Sequence, residues 1–237
     1  VEGRLANSDA ADASADELLE AIRPGAASRT AIDRSVIPYD VPAAWRWVHL
    51  ESVCSHIVDC LHKTPRYAED GYPAIRTSDV EPGRILVDKA RLVDKVTFEE
   101  RTSRLRPAAG DVVYSREGGR FGIAAVVPPD VDLCLGQRMM QFRCTDGVEP
   151  EYLCWFLNSP LGFGQASADV GGSASPHVNI KAIRRFLLPL PPSAEQQRIV
   201  ARVRELMDQC DQLEARLGLR DRVGALLAGS MASAAAC

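Results

Sequence analysis

The chain lacks the sequence features of several common protein classes. Among its 237 residues no apolar run approaches the roughly 20 needed to span a bilayer, and nothing in its polar, acidic N-terminal region resembles a signal peptide. Its seven cysteines are scattered, odd in number and without a C-x-x-C pair, which favours a reduced compartment over a disulfide framework. We therefore expect a protein of the bacterial or archaeal cytoplasm.

Common catalytic motifs are also absent from the sequence. It has no GxxxxGK[ST] phosphate-binding loop, no GxSxG elbow and no HExxH zinc motif. The residue two places before each of the four lysines is never acidic, unlike the pattern of common metal-dependent nucleases, and the Asn/Asp-Pro-Pro-Tyr motif of base-methylating enzymes is missing. The chain is predicted to be a non-enzyme with no cofactor of its own.

Lysine is scarce, and the net charge of −4 gives no direct indication of a nucleic-acid partner. Residues 1–40 contain four basic and eight acidic residues, which accounts for the whole excess of negative charge, whereas residues 41–190 contain 18 of each. Arginine dominates the basic residues, and it favours bidentate contacts with phosphates and guanine edges. The charge distribution therefore permits DNA binding without requiring it.

The sequence predicts three segments. Residues 1–40 resemble a tail or linker with one short helix, which is indicated by the spacing Ser14-x-x-Glu17. Residues 41–192 are predicted to form a mixed α/β (α+β) domain, consistent with the 46% hydrophobic content, with a helix at Glu151–Asn158. Short apolar runs between turn signals predict strands at Trp47–Leu50, Ala74–Arg76, Asp111–Tyr114, Ile123–Val127, Met139–Arg143 and Phe186–Leu190.

Residues 193–237 are predicted to form a long helix. Ser193 and Gln196 have the spacing of a capping box. Apolar residues then recur at the three- and four-residue steps of a coiled-coil seam: Ile199, Val203, Leu206, Cys210, Leu213 and Leu217. The helix through Leu217 would be about 37 Å long, close to one turn of B-DNA at roughly 34–36 Å. It is either a spacer between DNA-reading domains or a dimerisation coiled coil without that role.

Six stretches in collinear order resemble the DNA-specificity (S) subunit of type I restriction-modification systems. The family's conserved helical region is similar to LPLPPSAEQQRIVARVRELMDQCDQLEARL, and its target-recognition domain is similar to VPAAWRWVHLESV, HKTPRYAEDGYPAIRTSDVEPGRI, GDVVYSREGGRFGIAAVV, LGQRMMQFRC and GSASPHVNIKAIR. The similarity covers about four-fifths of the chain.

This resemblance implies a sequence-specific DNA-binding role in a restriction system. The chain would read one half of a bipartite target in double-stranded DNA and dock the methyltransferase (M) and restriction (R) subunits. S-adenosylmethionine, ATP and Mg would be bound by those partners. The chain would be the C-terminal half of a two-part subunit or a natural half-subunit, and it would form a homodimer or pair with another half-subunit.

Candidate DNA contacts lie in polar and Gly-rich stretches, each with a structural alternative. The stretch from His62 to Ser78 could be a solvated loop. The Gly-rich turn SREGGRFG could be a tight hairpin with exposed arginines. Asn179 is favoured as a helix cap, and Trp45 and Trp47 as core residues. The candidates are His62, Lys63, Thr64, Arg76, Thr77, Ser78, Ser115, Arg116, Arg120, Gln137, Arg138, Ser173, Ser175, His177, Asn179 and Lys181.

Three further interpretations compete with this one. Cys54, His56, Cys60 and His62 could suggest a zinc site, but their C-x-H spacing departs from that of ordinary zinc sites, so no metal is expected. A coiled-coil adaptor that binds no DNA is the main alternative function, and it predicts no salt-dependent affinity for duplexes. An independent restriction or modification enzyme is disfavoured by the missing motifs.

Overall fold

A computed structural model describes residues 12–22, 32–168, 170–171 and 176–235, with side chains described through Leu217 except at 170–171. Its helices are α1 (Ala15–Ile22), α2 (Lys95–Thr102), α3 (Pro150–Leu157), α4 (Pro160–Ala168), α5 (Ile180–Arg184) and α6 (Ser193–Ala235). Its strands are β1 (Arg46–His49), β2 (Cys54–Asp59), β3 (Tyr72–Ile75), β4 (Val80–Glu81), β5 (Arg84–Ile85), β6 (Arg91–Val93), β7 (Val112–Ser115), β8 (Ala124–Val126), β9 (Cys134–Leu135), β10 (Met139–Cys144), β11 (Val170–Gly171), β12 (His177–Val178) and β13 (Leu187–Leu190).

A four-stranded antiparallel sheet in the order β2-β10-β7-β8 forms the centre of the domain. Because side chains alternate along a strand, β7 and β10 contribute to two cores. Tyr114 and Phe142 lie in the main core with their ring centroids 5.9 Å apart. Val113 and Met139 point to the other face and into a second core. Both faces of these strands are therefore buried, which explains their nearly continuous apolar sequence.

A smaller sheet in the order β6-β3-β9 packs beside the second core, and β3 and β9 run parallel within it. A separate antiparallel pair joins β1, near the start of the domain, to β13, which directly precedes the long helix. This pairing brings the two ends of the domain together. The mixed α/β class predicted from the sequence is confirmed.

Helix α6 begins on the domain surface, but its first turns are part of the core. Ile199 is 4% exposed and Val200 is 3% exposed within the main cluster. The indole Nε1 of Trp45 donates a hydrogen bond of 3.0 Å to the buried carboxylate of Glu195. Arg204, about one turn beyond Val200, forms a bidentate ion pair with Glu151 of α3. The helix is thus fixed to the domain at its N-terminal end.

The predicted capping box at the start of α6 is wrong. The Ser193 hydroxyl donates to the Gly147 carbonyl at 2.7 Å instead of capping its own helix. The Gln196 amide is buried, donating to the Pro191 carbonyl at 3.0 Å and accepting from the Glu149 backbone N–H at 2.8 Å. Tertiary contacts have therefore replaced the local cap that the spacing suggested.

The predicted pairing seam divides into a packed and an exposed part. Ile199 and Val203 contact the chain's own core, which removes them from a surface that could pair with another helix. Leu206 is half-buried and Cys210 is exposed, while Leu213 and Leu217 are 56% and 50% exposed. We call Leu206, Cys210, Leu213 and Leu217 the exposed stripe. Pairing through it remains a prediction.

The long helix predicted for residues 193–237 is continuous from Ser193 through Gly218 to Ala235. Its 43 residues correspond to about 64 Å. The part through Leu217, expected to be about 37 Å long, is thus the first part of a longer helix. Within the described part of the chain, no helix combines the length and apolarity that crossing a membrane requires.

Helix α1 packs into the main core, although it lies in the segment predicted as a tail or linker. Its predicted cap is confirmed, because the Ser14 hydroxyl accepts from the Glu17 backbone N–H at 3.3 Å. Leu19 is 2% exposed in the main cluster. Asp12 also pairs with Arg198 of α6. The described part of this segment thus adds a helix to the domain beside the start of α6.

We predict that Ile199→Ala and Leu213→Ala have different effects on folding. The first removes a buried side chain and should lower the free energy of unfolding by about 2–4 kcal/mol. The second removes an exposed side chain and should change it by less than about 0.5 kcal/mol at protein concentrations too low for association. Urea unfolding measures both, and equal losses would contradict the division of the helix into a packed and an exposed part.

Candidate nucleic-acid interface

Several of the predicted DNA contacts converge on one edge of the central sheet. Strands β2 and β7 are both antiparallel to β10, so both end where β10 begins. The parallel strands β3 and β9 also end on this side, where the Gly136 N–H donates to the Ile75 carbonyl at 2.7 Å. We call the loops at 61–66, 76–78, 116–122 and 136–138, together with His177, the recognition edge.

The Gly-rich turn after β7 is built around Ser115. This residue is buried, and its hydroxyl donates to the Arg120 carbonyl at 2.6 Å and accepts from the Ile123 N–H at 2.9 Å. Gly122 has φ +87°, and a Cβ there would lie 2.7 Å from the Phe163 ring, so the turn requires glycine. Ser115 therefore holds the turn together, and its burial argues against the predicted contact with DNA.

Arg116 is likewise buried, at 6% exposure, and acts within the domain. One of its terminal nitrogens donates to the Val178 carbonyl at 3.2 Å, and the other lies 3.3 Å from an Asp59 oxygen and forms an ion pair with Glu117. His62 lies beside the same acids, with Nε2 2.8 Å from Asp59. Arg116 is buried, and its guanidinium joins three segments of the domain. Both observations argue against a direct DNA contact by this residue.

Asp59 was not among the residues predicted for the site. It ends β2, a strand that was not among those predicted from the sequence. In the structure, Cys54 pairs in register with Cys144, and the His56 ring is exposed beside Ser55. The described residues contain no cluster of three or more metal-ligating side chains.

Exposed basic side chains remain available on the recognition edge. Lys63, Arg120, Arg138 and His177 are exposed, and so is Thr64. Within the described residues, the side chains of Lys63 and Arg138 form no hydrogen bond or ion pair. Lys63 and Arg138 can therefore donate to phosphates or base edges without losing a partner in the protein.

The backbone fixes the positions of two of these arginines. Arg138 has φ +73°, an uncommon value for a residue with a side chain, and its carbonyl accepts from the Arg116 N–H at 3.0 Å. Its guanidinium passes over the turn, 3.4 Å from where a Cβ of Gly118 would stand. Arg120 donates to the Val80 carbonyl at 3.0 Å. Arg138 and Arg120 are thus placed on the same Gly-rich turn.

The loop after β3 is held by an internal ion pair. The Arg76 guanidinium donates to both carboxylate oxygens of Asp79 at 2.8 Å, and the Ser78 hydroxyl donates to the same carboxylate at 2.9 Å. Thr77 between them is half-buried. Arg76 and Ser78 therefore bind Asp79 in the free protein, so a DNA contact by either would compete with this interaction.

The remaining predicted contacts have varied environments. Asn179 caps α5 by accepting from the Lys181 N–H at 2.9 Å, as favoured from the sequence, and Lys181 is exposed. Gln137 is half-buried, and its side-chain oxygen is buried without a hydrogen-bond partner in the described structure. Ser173 and Ser175 lie outside the described residues. Trp45 and Trp47 are buried, which confirms their prediction as core residues.

Known proteins with similar sequences and structures identify the class. The model for the type I restriction modification DNA specificity domain matches residues 43–219. The chain is 21% identical over 217 residues to the specificity subunit of type I restriction enzyme EcoEI from Escherichia coli, covering 84% of this chain and 35% of that protein. It is 24% identical to the EcoKI specificity subunit of E. coli strain K12, covering 73% of this chain and 38% of that one.

Solved structures agree with this class at the level of the fold. The HsdS subunit from Thermoanaerobacter tengcongensis superposes with a TM-score of 0.53 at 25% identity, over 74% of this chain and 45% of that one. A chain from a type I R-M system structure gives 0.56 at 21% identity, over 84% and 46%. The fold is therefore that of a specificity-subunit domain.

The chain belongs to the type I restriction modification DNA specificity domain family, as the match over residues 43–219 shows. It spans little more than a third of the length of the two E. coli relatives described above. The resemblance inferred from the sequence is thereby confirmed.

We predict that the Asp79→Asn variant loses less unfolding free energy than the wild-type protein as the pH falls. Burial raises the pKa of Asp79, but hydrogen bonds from the side chain and backbone of Arg76 and from Ser78 outweigh burial, so the pKa lies below 3.8. A lowered pKa in the folded state stabilises the protein above the unfolded pKa, and this contribution is lost as pH falls through the folded value. Urea unfolding between pH 6 and about 3 should show a smaller loss in the variant. An equal loss in both proteins would contradict this role of Asp79.

Proposed function

We propose that this chain is a sequence-specific DNA-binding module of a type I restriction-modification complex, without catalytic activity of its own. The observation that carries the proposal is the convergence of exposed donors on the recognition edge of a chain that belongs to the specificity-domain family. The module reads one half of a bipartite target in double-stranded DNA. Methylation and cleavage then belong to partner subunits that bind S-adenosylmethionine, ATP and Mg.

The recognition edge carries both acidic and basic side chains, and this distribution of charge suits a surface that reads a DNA sequence. Asp59 and Glu117 lie at the edge and share the guanidinium of Arg116, which offsets one of their two negative charges, and both also contact the His62 ring. The exposed Lys63, Arg120 and Arg138 then dominate the side facing solvent. Three such groups provide a modest, local attraction for phosphates, and arginine can also contact guanine edges. This arrangement supports DNA binding despite the overall charge of −4.

Helix α6 provides the second functional surface in this proposal. From Leu206 to Ala235 it extends for about 45 Å beyond the residues packed in the core. The exposed stripe would pair with another helix, from a second copy of the chain or another half-subunit, and would help to dock the methyltransferase and restriction subunits. Such a rod would separate two reading domains by more than one turn of B-DNA, which is roughly 34–36 Å.

Arg120→Ala combined with Arg138→Ala should weaken binding to duplex DNA. Each arginine that neutralises a phosphate contributes about one unit to the slope of log affinity against log salt. The double variant should therefore show a slope smaller by about one to two units and a lower affinity at low salt. Arg202→Ala, which removes an exposed arginine from α6, is the matched control. Fluorescence anisotropy titrations measure both, and unchanged binding by the double variant would remove these arginines from the interface.

Leu206→Asp combined with Leu213→Asp should convert a dimer of the isolated chain into a monomer. Charged residues in the exposed stripe would have to be buried on pairing, at a large cost in free energy. Ala215→Asp places the same charge on nearly the opposite side of the exposed helix and should leave the dimer intact. Sedimentation velocity gives the mass of each protein. A wild-type chain that stays monomeric at high concentration would refute self-pairing through the stripe.

A further inference from the structure

The guanidinium of Arg101 lies beneath the recognition edge and is almost fully buried, at 9% exposure for the residue. Its Nε donates to the Leu135 carbonyl at 2.6 Å, one terminal nitrogen to the Lys63 carbonyl at 2.8 Å, and the other to the Leu61 carbonyl at 2.9 Å. The planar guanidinium holds its donors in a rigid fork. Arg101 therefore fixes three peptide groups relative to one another.

Two of the three carbonyls belong to the 61–66 loop of the recognition edge, and the third ends β9, which leads into the 136–138 loop. Leu61 and Lys63 lie on either side of His62, and Leu135 directly precedes the segment from Gly136 to Arg138. The exposed donors Lys63 and Arg138 are thus on different loops, and Arg101 connects the loops from below. Since the bonds go to backbone atoms, they fix where each loop lies rather than the conformation of one side chain.

A close backbone contact extends this link to the loop after β3. The Gly136 N–H donates to the Ile75 carbonyl, and a Cβ on Gly136 would lie 2.9 Å from that oxygen and 3.1 Å from Cγ of Arg76. The 136–138 segment therefore sits tightly between the Arg101 guanidinium and the end of β3. Any side chain at Gly136 would push it away from its neighbour.

We propose that Arg101 is a positioning residue for sequence readout: it sets the separation between the 61–64 and 136–138 loops and thereby determines which base edges their donors reach. This inference rests on the proposed function. Hydrogen bonds to base edges require donor–acceptor distances within a few tenths of an ångström, whereas long basic side chains can follow a displaced phosphate. Loss of the Arg101 fork should therefore reduce sequence preference more than overall affinity for DNA.

The chemistry of the site distinguishes this role from simple packing. Within the described residues Arg101 forms no ion pair with a carboxylate, and its three hydrogen bonds all go to main-chain carbonyls. An apolar side chain would fill the space, but it would leave the three carbonyls without these donors. Lysine would keep the charge but present a compact ammonium in place of the fork.

The test compares the full chain with Arg101→Lys and with a matched variant, Arg143→Lys. Arg143 lies toward the other end of β10, where it binds the Asp111 carboxylate and the Arg106 carbonyl. Arg143 is partly buried, and it therefore controls for the loss of an arginine fork away from the recognition edge. Selection from a randomised duplex pool gives the sequence preference, anisotropy at several salt concentrations gives the non-specific affinity, and thermal unfolding gives the stability.

The expected result is a loss of preference on the order of tenfold for Arg101→Lys, which is the scale of one lost base contact, with non-specific affinity and its salt slope unchanged. Arg143→Lys should be destabilised without losing preference. Gly136→Ala should reproduce the loss of preference from the other side of the loop, and it serves as the test if Arg101→Lys does not fold.

Three outcomes would overturn the inference. If the wild-type chain prefers particular sequences and neither Arg101→Lys nor Gly136→Ala alters that preference, Arg101 does not position the readout, although the proposed function stands. If Arg143→Lys loses preference as much as Arg101→Lys, the effect is general destabilisation. If the wild-type chain shows no preference, the proposed function fails, and the inference fails with it.

Discussion

The antiparallel register of β10 between β2 and β7 is the constraint on which the site depends. Because Met140 is opposite Asp59 and Met139 is opposite Ser115, the loops that follow β2 and β7 emerge where β10 begins. Segments more than 50 residues apart in sequence are thereby placed side by side. A shift of one residue in this register would also exchange the side chains that face the main core and the second core, so the cores and the recognition edge are specified together.

Burial divides the polar residues of the edge into two groups with different roles. Ser115, Arg116 and Asp79 are buried and satisfy neighbouring backbone groups or charges, so they shape the loops. Lys63, Arg120 and Arg138 are exposed on the framework that these residues build. A protein of this design could change its exposed residues, and thus its target, while retaining the buried ones. The same logic applies to α6, whose first turns belong to the core and whose later turns expose an apolar stripe.

Patterns that act locally predicted their structures well, whereas roles set by tertiary contacts were not visible in the sequence. The apolar runs of β7, β8 and β10, the Ser14 cap and the Asn179 cap are all present. By contrast, Ser193 and Gln196 have a capping-box spacing but bind residues near 147–149 and 191. Ser115 and Arg116 were predicted to be surface donors, because the sequence alone does not show which side chains of a turn are buried. Arg101 gave no signal, because its partners are main-chain carbonyls and carry no residue identity.

In the proposed function DNA binds at the recognition edge, and amide hydrogen exchange with and without duplex DNA tests this binding most directly. The full chain should be bound to a duplex selected from a random pool and compared with the same chain in buffer. We predict slower exchange at 61–64, 116–122 and 136–138 when DNA is bound, and unchanged exchange at 206–217 of α6. Protection confined to α6 or to β1 and β13, with the edge loops unaffected, would contradict it.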